Sequence, residues 1–78
     1  MRIRYEAVYS RRFREAFSYE LDEEGRKRVD DWIWRLRTAE IEGMSNGLTL
    51  EVETEAGEII RYDRKGRILA FLDLRVHP

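Results

Sequence analysis

The chain has no cysteine and one histidine. The first absence excludes disulfides and thiolate metal sites. The second excludes a His-rich metal centre, and no loop has the carboxylate spacing of a calcium site. No metal and no cofactor is therefore expected. Long apolar runs are also lacking. The longest, Ile68 to Leu72, is far too short to span a bilayer, and no signal-peptide pattern opens the chain. The expectation is a cytoplasmic protein with no membrane association. There is no internal repeat, linker or low-complexity segment. The 78 residues make one domain, 1–78, with a modest core.

Net charge is nearly absent too, at −1, although charged residues make up 40% of the chain. That balance is not the global signature of a nucleic-acid binder. The signs are nonetheless segregated. Residues 1–18 carry five Arg against two Glu, residues 19–31 carry six acids against three bases, and residues 58–78 carry five bases against three acids. Thirteen of the fifteen basic residues are Arg, which meets phosphate and carboxylate bidentately where Lys does not. Two readings stand: a solvated surface of mixed ion pairs, or patches set to meet charged partners.

What is present reads as alternating strands and two helices. The longest element is Asp22 to Gly43, DEEGRKRVDDWIWRLRTAEIEG. Val29, Trp32, Ile33, Leu36 and Ala39 recur at spacings of three and four and share one helical face. Asp22 can cap its start, Glu23 and Glu24 suit the positive end of the dipole, and Gly43 can close it. Ahead of it, Met1 to Tyr9 alternates as a half-buried strand, with Ile3, Tyr5, Ala7 and Tyr9 on one side. Ser10 offers an N-cap to a first helix whose apolar stripe is Phe13, Ala16, Phe17 and Leu21. The new cap at Asp22, together with Gly25, separates the helices into a hairpin.

Met44-Ser45-Asn46-Gly47 reads as a turn. Leu48, Leu50, Val52 and Thr54 then form the buried row of one strand, and Ile60 and Tyr62 that of the next. Asp63 to Gly66 turns the chain, with Gly66 placed as a left-handed bulge residue. In the last strand Ile68, Ala70, Leu72, Leu74 and Val76 form the expected buried row. Leu69, Phe71, Asp73 and Arg75 fall on its other face. A strand apolar on both sides is usually central in a sheet. The expected fold is α+β, a two-layer sandwich in the order β-α-α-β-β-β. Its helical hairpin packs on one face of a mostly antiparallel four-stranded sheet.

The opening YEAVYSRRFREAF, then DEEGRKRVDDWIWRLR, then a meander ending ILAFLDLRVHP resembles the RelE/ParE superfamily of bacterial toxin–antitoxin toxins. In that family a first strand leads to a Ser-capped helix, a second helix follows and an antiparallel sheet closes the chain. Arg61-Tyr62 falls where an Arg-aromatic pair often lies. The resemblance covers most of the chain but rests on element order rather than on an invariant motif. It implies an action on messenger RNA at the ribosome, by metal-independent cleavage, or on a protein target such as gyrase. It also implies an antitoxin as partner. Cleavage would need a general base, a general acid and cations at the phosphate. On this reading the candidates are His77, Arg61, Arg75 and, as base, Glu51 or Glu53, with Tyr62 as a stacking or proton-donating group.

The residues themselves also argue for a second class. By parity the sheet face away from the helices carries Arg2, Arg4, Arg61 and Arg75 against Glu6, Glu51, Glu53, Asp63 and Asp73. That balance makes cross-strand ion pairs rather than a phosphate cleft. A non-catalytic protein-binding module, such as a phage-type inhibitor or an interaction domain, fits this balance. Its contact candidates are Trp34 and Ile41, which lie off the helix's core stripe, Arg11 and Arg12 at the first helix's start, and Phe71 with Leu69 on the open sheet face. Trp34 and Ile41 equally suit a second core stripe against the first helix, or a homodimer contact. A third reading is a designed domain of this fold. Compact turns, dense charge and missing cysteine suit it; the Met-Ser-Asn-Gly loop and Tyr-rich first strand look less idealised.

Overall fold

The computed structural model describes residues 2–76. Its elements are β1 (Glu6–Tyr9), α1 (Arg11–Tyr19), α2 (Glu23–Arg37), β2 (Met44–Asn46), β3 (Thr49–Glu53), β4 (Ile59–Lys65) and β5 (Ile68–Arg75). The five strands form one mixed sheet in the order β1-β5-β4-β3-β2. β1 runs parallel to β5, and the remaining neighbours are antiparallel. The fold is α+β with two helices, but the four-stranded expectation is corrected to five. The extra strand is Met44–Asn46, which the turn-rich composition of Met-Ser-Asn-Gly disguised. It pairs with β3 across a two-residue turn, Gly47-Leu48, with Gly47 at φ 71°. Leu48 therefore sits at a hairpin tip, 97% exposed, instead of opening a buried row.

β1 is also shorter than its alternation suggests. Residues 2–5 leave the sheet because the end of α2 claims them. The amides of Arg4 and Tyr5 donate to the Arg37 carbonyl at 2.8 and 3.1 Å, and Arg37 Nε donates back to the Tyr5 carbonyl at 3.2 Å. This satisfies a helix-end carbonyl that has no partner within the helix.

Both helix starts match their sequence signals. Ser10 Oγ accepts from the Phe13 amide at 3.0 Å, and Asp22 Oδ1 from the Gly25 amide at 2.8 Å. The helices are separate, and Arg26 bridges the turn by donating to the carbonyls of Ser18 and Leu21. The end of α2 differs from expectation. It stops at Arg37, with Ala39 at φ 60°. The amides of Ala39 and Glu40 donate to Leu36 and Arg35 at 3.1 and 2.9 Å, which is a Schellman closure. Ala39 and Ile41 thus lie beyond the helix. Gly43 does not close α2 but lets the chain pass against Tyr62. Its amide donates to Tyr62 Oη at 2.8 Å, and a Cβ there would lie 2.6 Å from that oxygen.

The core lies between the helices and β4–β5. Phe13, Ala16, Leu21, Val29, Ile33 and Leu36 come from the helical layer and meet Ile60, Tyr62, Leu69, Phe71 and Leu74. Phe71 is fully buried, its ring 5.4–5.7 Å from those of Tyr9, Phe13 and Tyr62. This overturns the expected facing of β5 and removes Phe71 and Leu69 from any surface. The cause is a bulge. Arg61 pairs with Asp73 but Tyr62 with Phe71, so Leu72 is an extra residue. Alternation is inverted on passing it, and Leu69, Phe71 and Leu74 all face the core. Ile68 is instead 43% exposed. The β4–β5 turn is likewise two residues, Gly66-Arg67, with no bulge at Gly66.

Ser10 holds this bulge in place. Its amide donates to the Phe71 carbonyl at 2.9 Å and its hydroxyl to the Leu72 carbonyl at 2.7 Å. The β3–β4 connection buries Glu58, which is 5% exposed. Arg28 Nε donates to Glu58 Oε1 at 2.9 Å, the second arm of that guanidinium reaches Oε2, and the Thr54 hydroxyl donates to the same carboxylate. The Arg28 hydrogen bonds hold the Glu58 carboxyl below its ordinary value, against a burial that pushes it up.

Two outcomes follow from these contacts. Ser10→Ala removes the cap and strands the Leu72 carbonyl, so it is expected to cost about 2 kcal/mol by urea denaturation. A loss under half of that would mean that the bulge does not depend on Ser10. Arg28→Ala leaves the buried Glu58 carboxylate without its counter-charge, and is expected to lower Tm by on the order of 10 °C. Because the native Glu58 value is depressed, its contribution is complete above the unfolded value of about 4.3. It disappears as pH falls through the lower native value. Urea midpoints across that acid range should fall in the parent and fall less in the Arg28→Ala variant.

Candidate functional site

Two surfaces gather the candidate residues. The first is the sheet face away from the helices. The register places Met44, Glu51, Arg61 and Asp73 in one cross-strand row, with Glu53, Ile59 and Arg75 in the next. Three of the candidate catalytic residues, Glu51, Arg61 and Arg75, therefore share this face. His77 lies outside the described residues. Arg61 Nε donates to Glu51 Oε2 at 3.1 Å. Hydrogen bonds from Asn46 and then Arg61 hold the Glu51 carboxyl below its usual range, and the charge of Arg75 adds to this.

This chemistry is that of a neutralised pair. A carboxylate with a lowered pKa is a weaker base, and a guanidinium engaged by it is not free to clamp phosphate. With Arg2 and Arg4 drawn away from the sheet, the face carries Arg61, Lys65 and Arg75 against Glu6, Glu51, Glu53, Asp63 and Asp73. Tyr62, the other aromatic candidate, faces the core and is 2% exposed. Among the described residues, no group of three or more His, Cys, Asp or Glu could hold a metal ion.

The second surface lies where β1 meets the helices. β1 is an edge strand, bonded to β5 on one side only. The amides of Glu6 and Ser10 donate toward β5, to Arg67 and Phe71. In a parallel ladder the intervening residues point their polar groups the other way, so Ala7 and Tyr9 present theirs to the open edge. Above that edge is a depression of about 450 Å³ lined by Tyr9, Ile33, Trp34, Lys27, Asp30, Asp31 and Arg37. It continues into an apolar one of about 330 Å³ between the helices, where Phe13 and Phe17 join Tyr9 and Ile33. Tyr9, Trp34 and Val8 are 37%, 42% and 50% exposed. Burial pushes the Tyr9 phenol above its ordinary value.

The partner-contact candidates divide between these places. Trp34 lies on the trough above β1. Ile41 is half-buried and packs on the core beyond the helix end. Arg11 pairs with Glu15 at 2.8 Å, and Arg12 reaches Asp73 at 3.4 Å. Sequence reasoning missed the open edge at Ala7 and Tyr9. The alternation of Met1 to Tyr9 carries no signal of it, because exposure of an edge depends on which strand pairs beside it. No helix among the described residues is long and apolar enough to cross a membrane. No protein family, curated protein or solved structure matches the chain.

Proposed function

We propose that this chain is a non-catalytic protein-binding domain that takes up an extended segment of a partner protein along β1. The observation that carries this reading is the open edge of Ala7 and Tyr9 directly beneath the trough of Tyr9, Ile33 and Trp34. A strand added to such an edge gains main-chain hydrogen bonds, and its alternate side chains gain pockets. Here one set of side chains enters the trough and the other lies beside Val8. The preferred segment is therefore one whose alternate residues are large and apolar. Aromatic Trp34, with Arg37 next to it, has the character of an interface anchor.

The test uses peptides selected from a random display library against the purified chain. Binders should alternate in hydrophobicity and slow hydrogen exchange at the Ala7 and Tyr9 amides. Ala7→Pro removes an amide that the fold does not use, and should abolish binding with little change in Tm. Trp34→Ala should weaken binding by roughly 30-fold. Binders that leave both amides exchanging freely would overturn the proposal. So would a stable dimer in sedimentation that protects the same amides without peptide, since a second copy would then be the occupant.

A RelE/ParE-like toxin is the second reading. What favours it is the order strand, helix, helix, meander, with Glu51, Arg61 and Arg75 on one sheet face. An antitoxin would then be the natural strand donor, and RNA at the ribosome or a protein the target. The anionic excess of that face and the Glu51–Arg61 pair favour a protein target over RNA cleavage. Induced expression in bacteria is expected to leave total translation unchanged. Collapse of translation that Arg61→Ala relieves would make the chain a ribonuclease.

A further inference from the structure

A different part of the molecule holds a separate cavity. Because α2 stops at Arg37, the end of the sheet at Leu50, Tyr62 and Leu69 is roofed by the connection after the helix. Beneath it lies a cavity of about 180 Å³ that shares no lining residue with the trough above β1. Leu36, Ile41, Leu50 and Leu69 supply its apolar wall, and Tyr5, Tyr62, Arg64 and Glu42 its polar end. An apolar cavity of about 150 Å³ is enough to take up benzene. This one has room for a single aromatic ring and a small substituent.

The polar end points to the substituent. Tyr62 Oη accepts from the Gly43 amide at 2.8 Å, and Tyr5 Oη accepts from Arg64 Nη1 at 3.3 Å. Each phenol thus has its acceptor side engaged, while its own O–H finds no acceptor among the described residues. Burial pushes the Tyr62 phenol above its ordinary value, so it keeps that proton at neutral pH. Two O–H donors and a guanidinium therefore converge on one end of an apolar cavity. The counter-charge already present is weak. Glu42 Oε1 lies 3.8 Å from Arg64 Nη1, with the two side chains 78% and 50% exposed, and pairs of that kind contribute little.

We propose that this cavity binds a small aromatic monocarboxylate, its ring among Leu36, Ile41, Leu50 and Leu69 and its carboxylate on Arg64 and the Tyr5 and Tyr62 hydroxyls. A ligand carboxylate can meet the guanidinium bidentately, which Glu42 at its present distance does not. Glu42 turns outward to solvent when the ligand binds. A neutral ring of the same size fits the apolar wall but leaves the three donors without an anion.

The experiment is a titration of the intact chain with benzoate, and with benzyl alcohol as its neutral counterpart, followed by amide and side-chain NMR shifts. Benzoate is expected to bind saturably with Kd on the order of 1 mM, as suits so few atoms. The largest shifts should fall on Gly43, Leu50, Tyr62 and Arg64. Benzyl alcohol should bind at least about tenfold more weakly. Arg64→Gln, at an exposed position, should bring the two ligands to equal affinity, and Leu50→Trp should exclude both. Three results would overturn the proposal: benzoate shifts that do not saturate, equal affinity for both ligands in the parent chain, or a benzoate preference that survives Arg64→Gln.

Discussion

One serine joins the two layers of this fold. Ser10 ends β1, caps α1 and, through its hydroxyl, holds the carbonyl of the extra residue in β5. Just beyond the bulge, the Leu74 amide donates to the Asp73 carboxylate at 2.9 Å. The bulge in turn decides which side chains of the central strand are core. Without it, Phe71 and Leu74 would face opposite sides of the sheet, since side-chain direction alternates strictly along a regular strand. Phe71 is the ring around which Tyr9, Phe13 and Tyr62 assemble. The packing of α1 on the sheet, the parallel pairing of β1 and the aromatic core are one construction.

Part of the dense charge is paired within the molecule. Arg28 is consumed by buried Glu58, Arg61 by Glu51, Arg35 by Asp31 and Glu40, and Arg12 by Asp73. Of these, the Arg28–Glu58 network is the structural one, because its carboxylate is dry and fully hydrogen-bonded. The exposed pairs contribute little. Two places offer apolar and backbone surface for recognition: the unpaired edge of β1 with Trp34 above it, and the cavity left where α2 stops short. Ala39 in a left-handed conformation is the strained point that ends the helix early enough to leave that cavity.

Local signals were legible where one residue type has one physical use. Ser10 and Asp22 are caps in sequence and in structure, and Val29, Ile33 and Leu36 are a buried helical stripe in both. Leu50, Val52, Ile60 and Tyr62 keep their inward parity. The misreadings share one origin. Met44–Asn46 has turn-forming residues but a strand beside it to pair with, and that pairing outweighs propensity. Ile41 continues the helical spacing, yet Thr38 and Ala39 have already closed the helix through bonds to Trp34, Arg35 and Leu36. Phe71 was assigned outward because the inserted Leu72 puts the positions before it out of phase with Leu74, and both parities of β5 are apolar in its first half.

The sequence by itself determined the α+β class, the two capped helices, the antiparallel pairing of Leu50–Glu53 with Ile59–Tyr62 and the absence of thiol chemistry. Those features depend on neighbours within a few residues or on composition. Only the tertiary structure decided the fifth strand, the facing of Leu69 and Phe71, the burial of Glu58 and the open edge at Ala7 and Tyr9. The fifth strand depends on a hairpin partner two residues further on, and the others on contacts between residues far apart in sequence: β1 against β5, Ser10 against Leu72, Arg28 against Glu58. Alternation records that a side chain has two possible faces, and the choice between them is a free-energy difference set by partners far away in the chain.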